Sequence, residues 1–248
     1  MTGVSVDLAA AAAFLAGAGR VLDRRRFDLL TGSGGAEAVL AAVDGYRNPD
    51  GGYGWGLEPD LRSGTSQPGG ALHALEAFAD LAPVTTPRSA EVCDWLAAVM
   101  LPDGGLPFAL PVPDPAACAP FWAQADPATS SLQITAVVAA TAYRVAASDP
   151  GVAAHPWLAR ATAFCLAAVR GLGDSPHAME LAFAVRFLDA AAPSSPEAAG
   201  LVGELARHVP ADGGWTVDFD SWSPAAALEW RGHATVEAVV LLRANGRL

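Results

Sequence analysis

Lysine is missing from this chain: all 15 basic residues are arginine. Together with the heavy use of alanine, this points to coding bias in a GC-rich bacterial genome and carries no mechanism. Charge of any kind is scarce, at 17% of residues, and the balance is −11. That balance excludes nucleic acid and anionic membrane surfaces as partners. Cysteine is also sparse. Cys93, Cys118 and Cys165 lie far apart, and none has a Cys or His two to five positions away, so no zinc pair and no metal site is expected. They read as free thiols of a reducing cytosol. No segment approaches a membrane span. The Ala/Gly-rich run 8–19 is preceded by Asp7, where a signal peptide would carry basic residues, so a cytoplasmic location is expected. Strand alternation is absent too, and no cofactor is implied.

Hydrophobic residues make up 52% of 248 positions, enough for a large core. Their periodicity predicts helices over 6–22, 36–46, 67–81, 89–100, 130–147, 156–169, 177–190, 196–208 and 234–242. The arginines of Asp23-Arg24-Arg25-Arg26 suit a helix C-terminus and close the first. Between the helices one phrase recurs. Asn48-Pro49-Asp50-Gly51-Gly52-Tyr53-Gly54-Trp55 returns as Pro102-Asp103-Gly104-Gly105-Leu106-Pro107-Phe108 and as Ala211-Asp212-Gly213-Gly214-Trp215. An internal repeat of helical hairpins follows, and with it an all-α single domain over 1–248. The region 106–127, with six prolines, reads either as a functional loop or lid or as a stiffened connection.

The second helix of each hairpin carries one amide or acid near its start: Gln67, Gln133, Glu180 and Glu237. Beyond these the helices are almost wholly apolar, which predicts an inner ring inside a more amphipathic outer one. The four residues then either gather at one mouth of the ring or serve as separate first-turn residues.

The Asp-Gly-Gly-aromatic turns between paired helices resemble the repeats of the terpene cyclase and protein prenyltransferase superfamily, the squalene–hopene cyclase side in particular. The resemblance runs from about Ala36 to the C-terminus. It implies a reduced α/α toroid of about nine or ten helices. The repeat's glutamine, three residues before Asp-Gly-Gly, is replaced by Arg47, Met100 and Val209. The family's acid motif, Asp-x-Asp-Asp-Thr, aligns in two ways. One places Asp218 and Asp220 on it; the other, with better helix register, falls on residues 231–235 and puts His233 at the acid. The prenyltransferase zinc set has no counterpart.

From these residues come the expectations for function. Asp220, His233 or Asp218 is the candidate acid, with His233 equally readable as structural. Trp55, Trp122, Trp215, Trp222 and Trp230 are either cavity walls or structural wedges. Asp60 and Glu229 are further carboxylates near the presumed mouth. Arg62 and Arg231 pair with Glu58 and Glu229 to hold loops, or bind an anionic group. The resemblance implies action on a hydrophobic, isoprenoid-type small molecule, including acid-initiated cyclisation or isomerisation. The alternative is a non-catalytic toroid that binds a hydrophobic ligand or a protein partner. A carbohydrate enzyme with two carboxylates across the mouth is the third reading.

Overall fold

The computed structural model describes residues 7–172 and 178–207, and beyond them Trp215, Arg231, Thr235, Val239, Leu242 and Arg243. The chain is all-α, with eleven helices among the described residues. In order they are α1 (Leu8–Ala18), α2 (Val21–Leu30), α3 (Ala36–Asp44), α4 (Pro68–Asp80) and α5 (Pro87–Val99). The single turn α6 (Pro120–Ala123), α7 (Leu132–Ala146), the short α8 (Pro150–Ala153), α9 (Pro156–Arg170), α10 (Ala178–Ala191) and α11 (Pro196–Arg207) follow. The strands β1 (Leu106–Pro107) and β2 (Ser130–Ser131) pair antiparallel, and make up the whole described sheet. Six helices open on proline, whose preset φ and missing N–H cost nothing at that position.

The helix expected over 6–22 is two helices. The chain breaks at Gly19, where a Cβ would lie 2.8 Å from the Leu15 side chain. It restarts where Asp23 reaches back to the residue before the helix: the Arg20 amide and Nε both donate to Asp23, at 3.2 and 2.8 Å. Asp23 to Arg26 therefore lie inside α2 instead of closing a helix.

The two Asp-Gly-Gly turns fully described are built alike. The first glycine, Gly51 or Gly104, has φ of +89° or +93°, a region costly for a side chain. The second is excluded by sterics: a Cβ on Gly52 would lie 2.5 Å from Ser66 and Trp95, and one on Gly105 2.4 Å from Ser130. The aspartate Oδ1 accepts from the second glycine's amide at 3.0 Å in both turns. It also accepts from the serine at the head of the following helix, Ser66 or Ser130, at 2.7 Å in both. Trp95 of α5 and Phe164 of α9 close over the two turns from the next hairpin.

α4 packs on α7 and α7 on α10, while α2 flanks α4; these form an inner row. α3, α5, α9 and α11 lie outside it. α7 matches the apolar expectation, with every residue from Ile134 to Ala142 buried. Most of the fourth hairpin, including the Asp-Gly-Gly at 212–214, lies outside the described residues. Among the described residues no helix is long and apolar enough to cross a membrane.

Candidate functional site

The polar groups of the inner row converge along one stripe of α4. His73, Glu76 and Asp80 follow one another at helical spacing, half-buried in a helix otherwise packed into the core. His73 is held from both sides. Its Nε2 lies 2.9 Å from Glu58 and its Nδ1 2.9 Å from Glu76. Burial on its own lowers the imidazole pKa, but the hydrogen bonds and charges of the two carboxylates outweigh it and push it up to about 9. The ring is therefore an imidazolium at neutral pH. For Glu76, burial works upward and is overcome by His73, Arg26 and Arg144, which leave its pKa below the usual range.

Further along the stripe, Arg26 of α2 donates to Asp80 at 2.7 Å, and Arg144 of α7 approaches the same carboxylate at 3.8 Å. Arg186 of α10 lies over the Phe183 ring, 5.7 Å from its centroid. Burial lowers its pKa, and the charge of Glu76 works against that. Side chains from α2, α4, α7 and α10 thus share one charged face.

The head of α4 is covered by the proline-rich connection. The buried Gln67 side chain clamps the Leu110 backbone, accepting its amide at 2.8 Å and donating to its carbonyl at 3.2 Å. The Ala119 amide donates to the Asp60 carbonyl at 2.8 Å. Trp122 stacks on Phe108 with centroids 4.4 Å apart, and its six-membered ring reaches over Gly69 beside Glu58. Its buried indole N–H has no partner. The connection is anchored at three points and is no free lid.

Several expected site residues fall elsewhere. Trp55 is exposed on the first turn, its φ positive at 56° and its indole donating to Asn48 at 2.8 Å. Trp215 is a buried wedge donating to the Leu205 carbonyl at 3.0 Å. The expected Glu58–Arg62 pair does not form. Glu58 bonds His73, and Arg62 donates to the Pro59 carbonyl at 3.2 Å, because the turn at 58–61 folds Arg62 back on its own backbone. Arg231 donates to the Trp215 carbonyl at 3.3 Å. Asp60 is exposed in the turn before Leu61, its carboxyl pKa raised by burial and by Glu58.

Gln67 and Gln133 are not equivalent positions. The aspartate–serine bonds pair Ser66 with Ser130, which matches Gln67 to Ser131 and leaves Gln133 half-buried two residues further on. Glu180 is half-buried in the first turn of α10. Asp218, Asp220, Trp222, Glu229, Trp230, His233 and Glu237 lie outside the described residues.

His73 was the residue that sequence reasoning missed. Its signal was a lone histidine in an apolar helix with Glu three residues on. Both of its nitrogens are engaged by carboxylates, so neither offers a lone pair to a metal. Among the described residues no group of three His, Cys, Asp or Glu is arranged to hold one. Burial pushes the Cys93 and Cys165 thiols up to about 12, which leaves them inert. No protein-family model matches the chain, and no curated protein matches it in sequence.

Proposed function

We propose that the chain is a terpene-cyclase-like helical toroid whose inner face binds an isoprenoid-type hydrophobic small molecule, and that the described part of that face does not initiate acid chemistry. One observation carries the second half: Glu58, Glu76 and Asp80 each already face a cation. Protonating an alkene needs a carboxylic acid whose proton is free to give; all three carboxylates are engaged in ion pairs, and His73, Arg26 and Arg144 hold the Glu76 carboxyl below its usual range against burial. An imidazolium with a pKa near 9 is a weaker acid still. The binding half rests on the likeness of the repeated Asp-Gly-Gly turns to cyclase repeats; Trp122, buried between Phe108 and Gly69, is the aromatic residue at the head of α4 that tests it. The buried thiols fit a reducing, cytoplasmic setting.

Native mass spectrometry and tryptophan fluorescence with farnesyl diphosphate, geranylgeranyl diphosphate and squalene test this reading. Retention of one of them at micromolar affinity, with no product released, is expected; Trp122→Ala should weaken it about tenfold. Failure of all three to bind overturns it.

One detail bears against the second reading, acid-initiated cyclisation. The Trp215 amide donates to Thr235 Oγ1 at 2.9 Å, and that hydroxyl donates to the Arg231 carbonyl at 2.7 Å. The second turn shows the same motif, with the Leu106 amide on Thr135 and Thr135 on the Ser131 carbonyl. Arg231 and Thr235 therefore correspond to Ser131 and Thr135, which favours the alignment with His233 at the acid position, where an imidazolium is too weak an acid for an unactivated alkene. Product formed from any of the three probes, and lost in His233→Ala or in Asp220→Asn, selects this reading.

A further inference from the structure

The first helix is the anomaly of the molecule. From Leu8 to Ala18 it carries no polar side chain, and none of its residues is buried. Phe14 is 70% exposed and Leu8 55%. Its half-buried positions are Ala11 and Leu15, one helical turn apart. A helix apolar on every side is at rest in water only when other apolar surface covers it.

What covers it is constrained from two directions. Alongside, a groove of about 300 Å³ opens between α1 and α2, where Ala12, Leu15, Ala16, Val21 and Phe27 meet the charged Arg24, Arg25 and Asp28. The ends of α1 carry opposite charges. Asp7 caps the N-terminus, accepting the Ala9 and Ala10 amides at 2.9 and 3.0 Å. Arg24 sits at the C-terminus, donating to the Gly19 carbonyl at 3.0 Å. Two such helices side by side and antiparallel bring Asp7 of each copy to Arg24 of the other. The −11 charge of the chain disfavours an anionic lipid surface as the cover.

We propose that α1 is the contact surface for a second copy of this chain, packed antiparallel about a two-fold axis, with Phe14 of each copy buried against α1 of the other. Such an interface is isologous, so each favourable contact occurs twice. Eleven residues span about 16 Å, which places the buried area at the low end of specific interfaces and the dimer in the micromolar range.

Sedimentation velocity on the full chain tests it, from about 1 to 200 µM at low and high salt. The expected result is a monomer–dimer equilibrium with Kd of order 10 µM that weakens with salt. Phe14→Glu should raise Kd by about 30-fold or more. Because Phe14 is exposed in the monomer, circular dichroism should show that variant folded. Asp7→Asn keeps a good N-cap and removes the charge, so it should leave a weaker dimer with little salt dependence. A wild-type chain that stays monomeric at about 200 µM overturns the proposal, as does a Phe14→Glu variant that dimerises like wild type. Flotation of the wild type, but not of Phe14→Glu, with phosphatidylcholine vesicles would put lipid on α1 in place of a second copy.

Discussion

His73 shows how much one side chain depends on its neighbours. The fold raises its pKa to about 9, against about 6.5 for a free imidazole, so the folded state favours the protonated ring. Its contribution is then fully present below about pH 6.5 and is lost as pH rises through about 9. A shift of this size corresponds to at most about 3 kcal/mol. The urea midpoint of the wild type should fall between pH 7 and pH 9.5, and His73→Gln should remove most of that slope. Equal slopes in the two proteins would show that the clamp contributes nothing. The residue was legible in the sequence only as an oddity. Its partner Glu58 is fifteen positions earlier, across an irregular loop, and periodicity carries no information about such a contact.

At the scale of elements, the repeated turn was legible and its cover was not. The phrase Asp-Gly-Gly announces a tight turn through composition alone. That Trp95 and Phe164 close over it, each at the ninth position of the next outer helix, depends on packing between hairpins. This packing predicts a contrast among glycines. Gly52→Ala forces a methyl to within 2.5 Å of Ser66 and Trp95, and Gly105→Ala to within 2.4 Å of Ser130. Each should cost about 2–3 kcal/mol or more in thermal or urea unfolding. Gly200, inside α11 with no atom within 4 Å of its would-be Cβ, should behave in the opposite way. Gly200→Ala should gain up to about 1 kcal/mol through helix propensity and a less mobile unfolded chain. A neutral Gly52→Ala would refute the steric account of the motif. The break between α1 and α2 was missed for a different reason. Apolar residues run on either side of Gly19, and the cap that restarts the helix is an Arg20–Asp23 pair instead of the usual Ser, Thr or Asn.

For the molecule as a whole, the distribution of apolar contacts decides how it comes apart. The main core runs from Leu22 to Ala198 and includes Ala184, Phe187 and Leu188 of α10. A second cluster takes the other side of α10, Leu181 and Val185, with Val202 and Leu205 of α11, Trp215 and Leu242. α10 is therefore a shared wall, and α11 is secured mainly by the second cluster. In a repeat array whose units contact mainly their neighbours, a unit held through one neighbour can open separately from the rest. Amides of α11 should exchange with deuterium at a lower opening free energy than those of α4 and α7. Trp215→Ala removes the largest side chain of the second cluster and its hydrogen bond to Leu205, at a cost of about 3–5 kcal/mol. Its loss of protection should be concentrated in α11 and the start of α10, leaving α4 and α7 close to wild type. Uniform loss of protection across all four helices would mean that the two clusters unfold as one cooperative unit. The charged face on α4 would then be coupled to the C-terminal hairpin, whereas separate opening lets that hairpin move while His73 keeps both of its carboxylates.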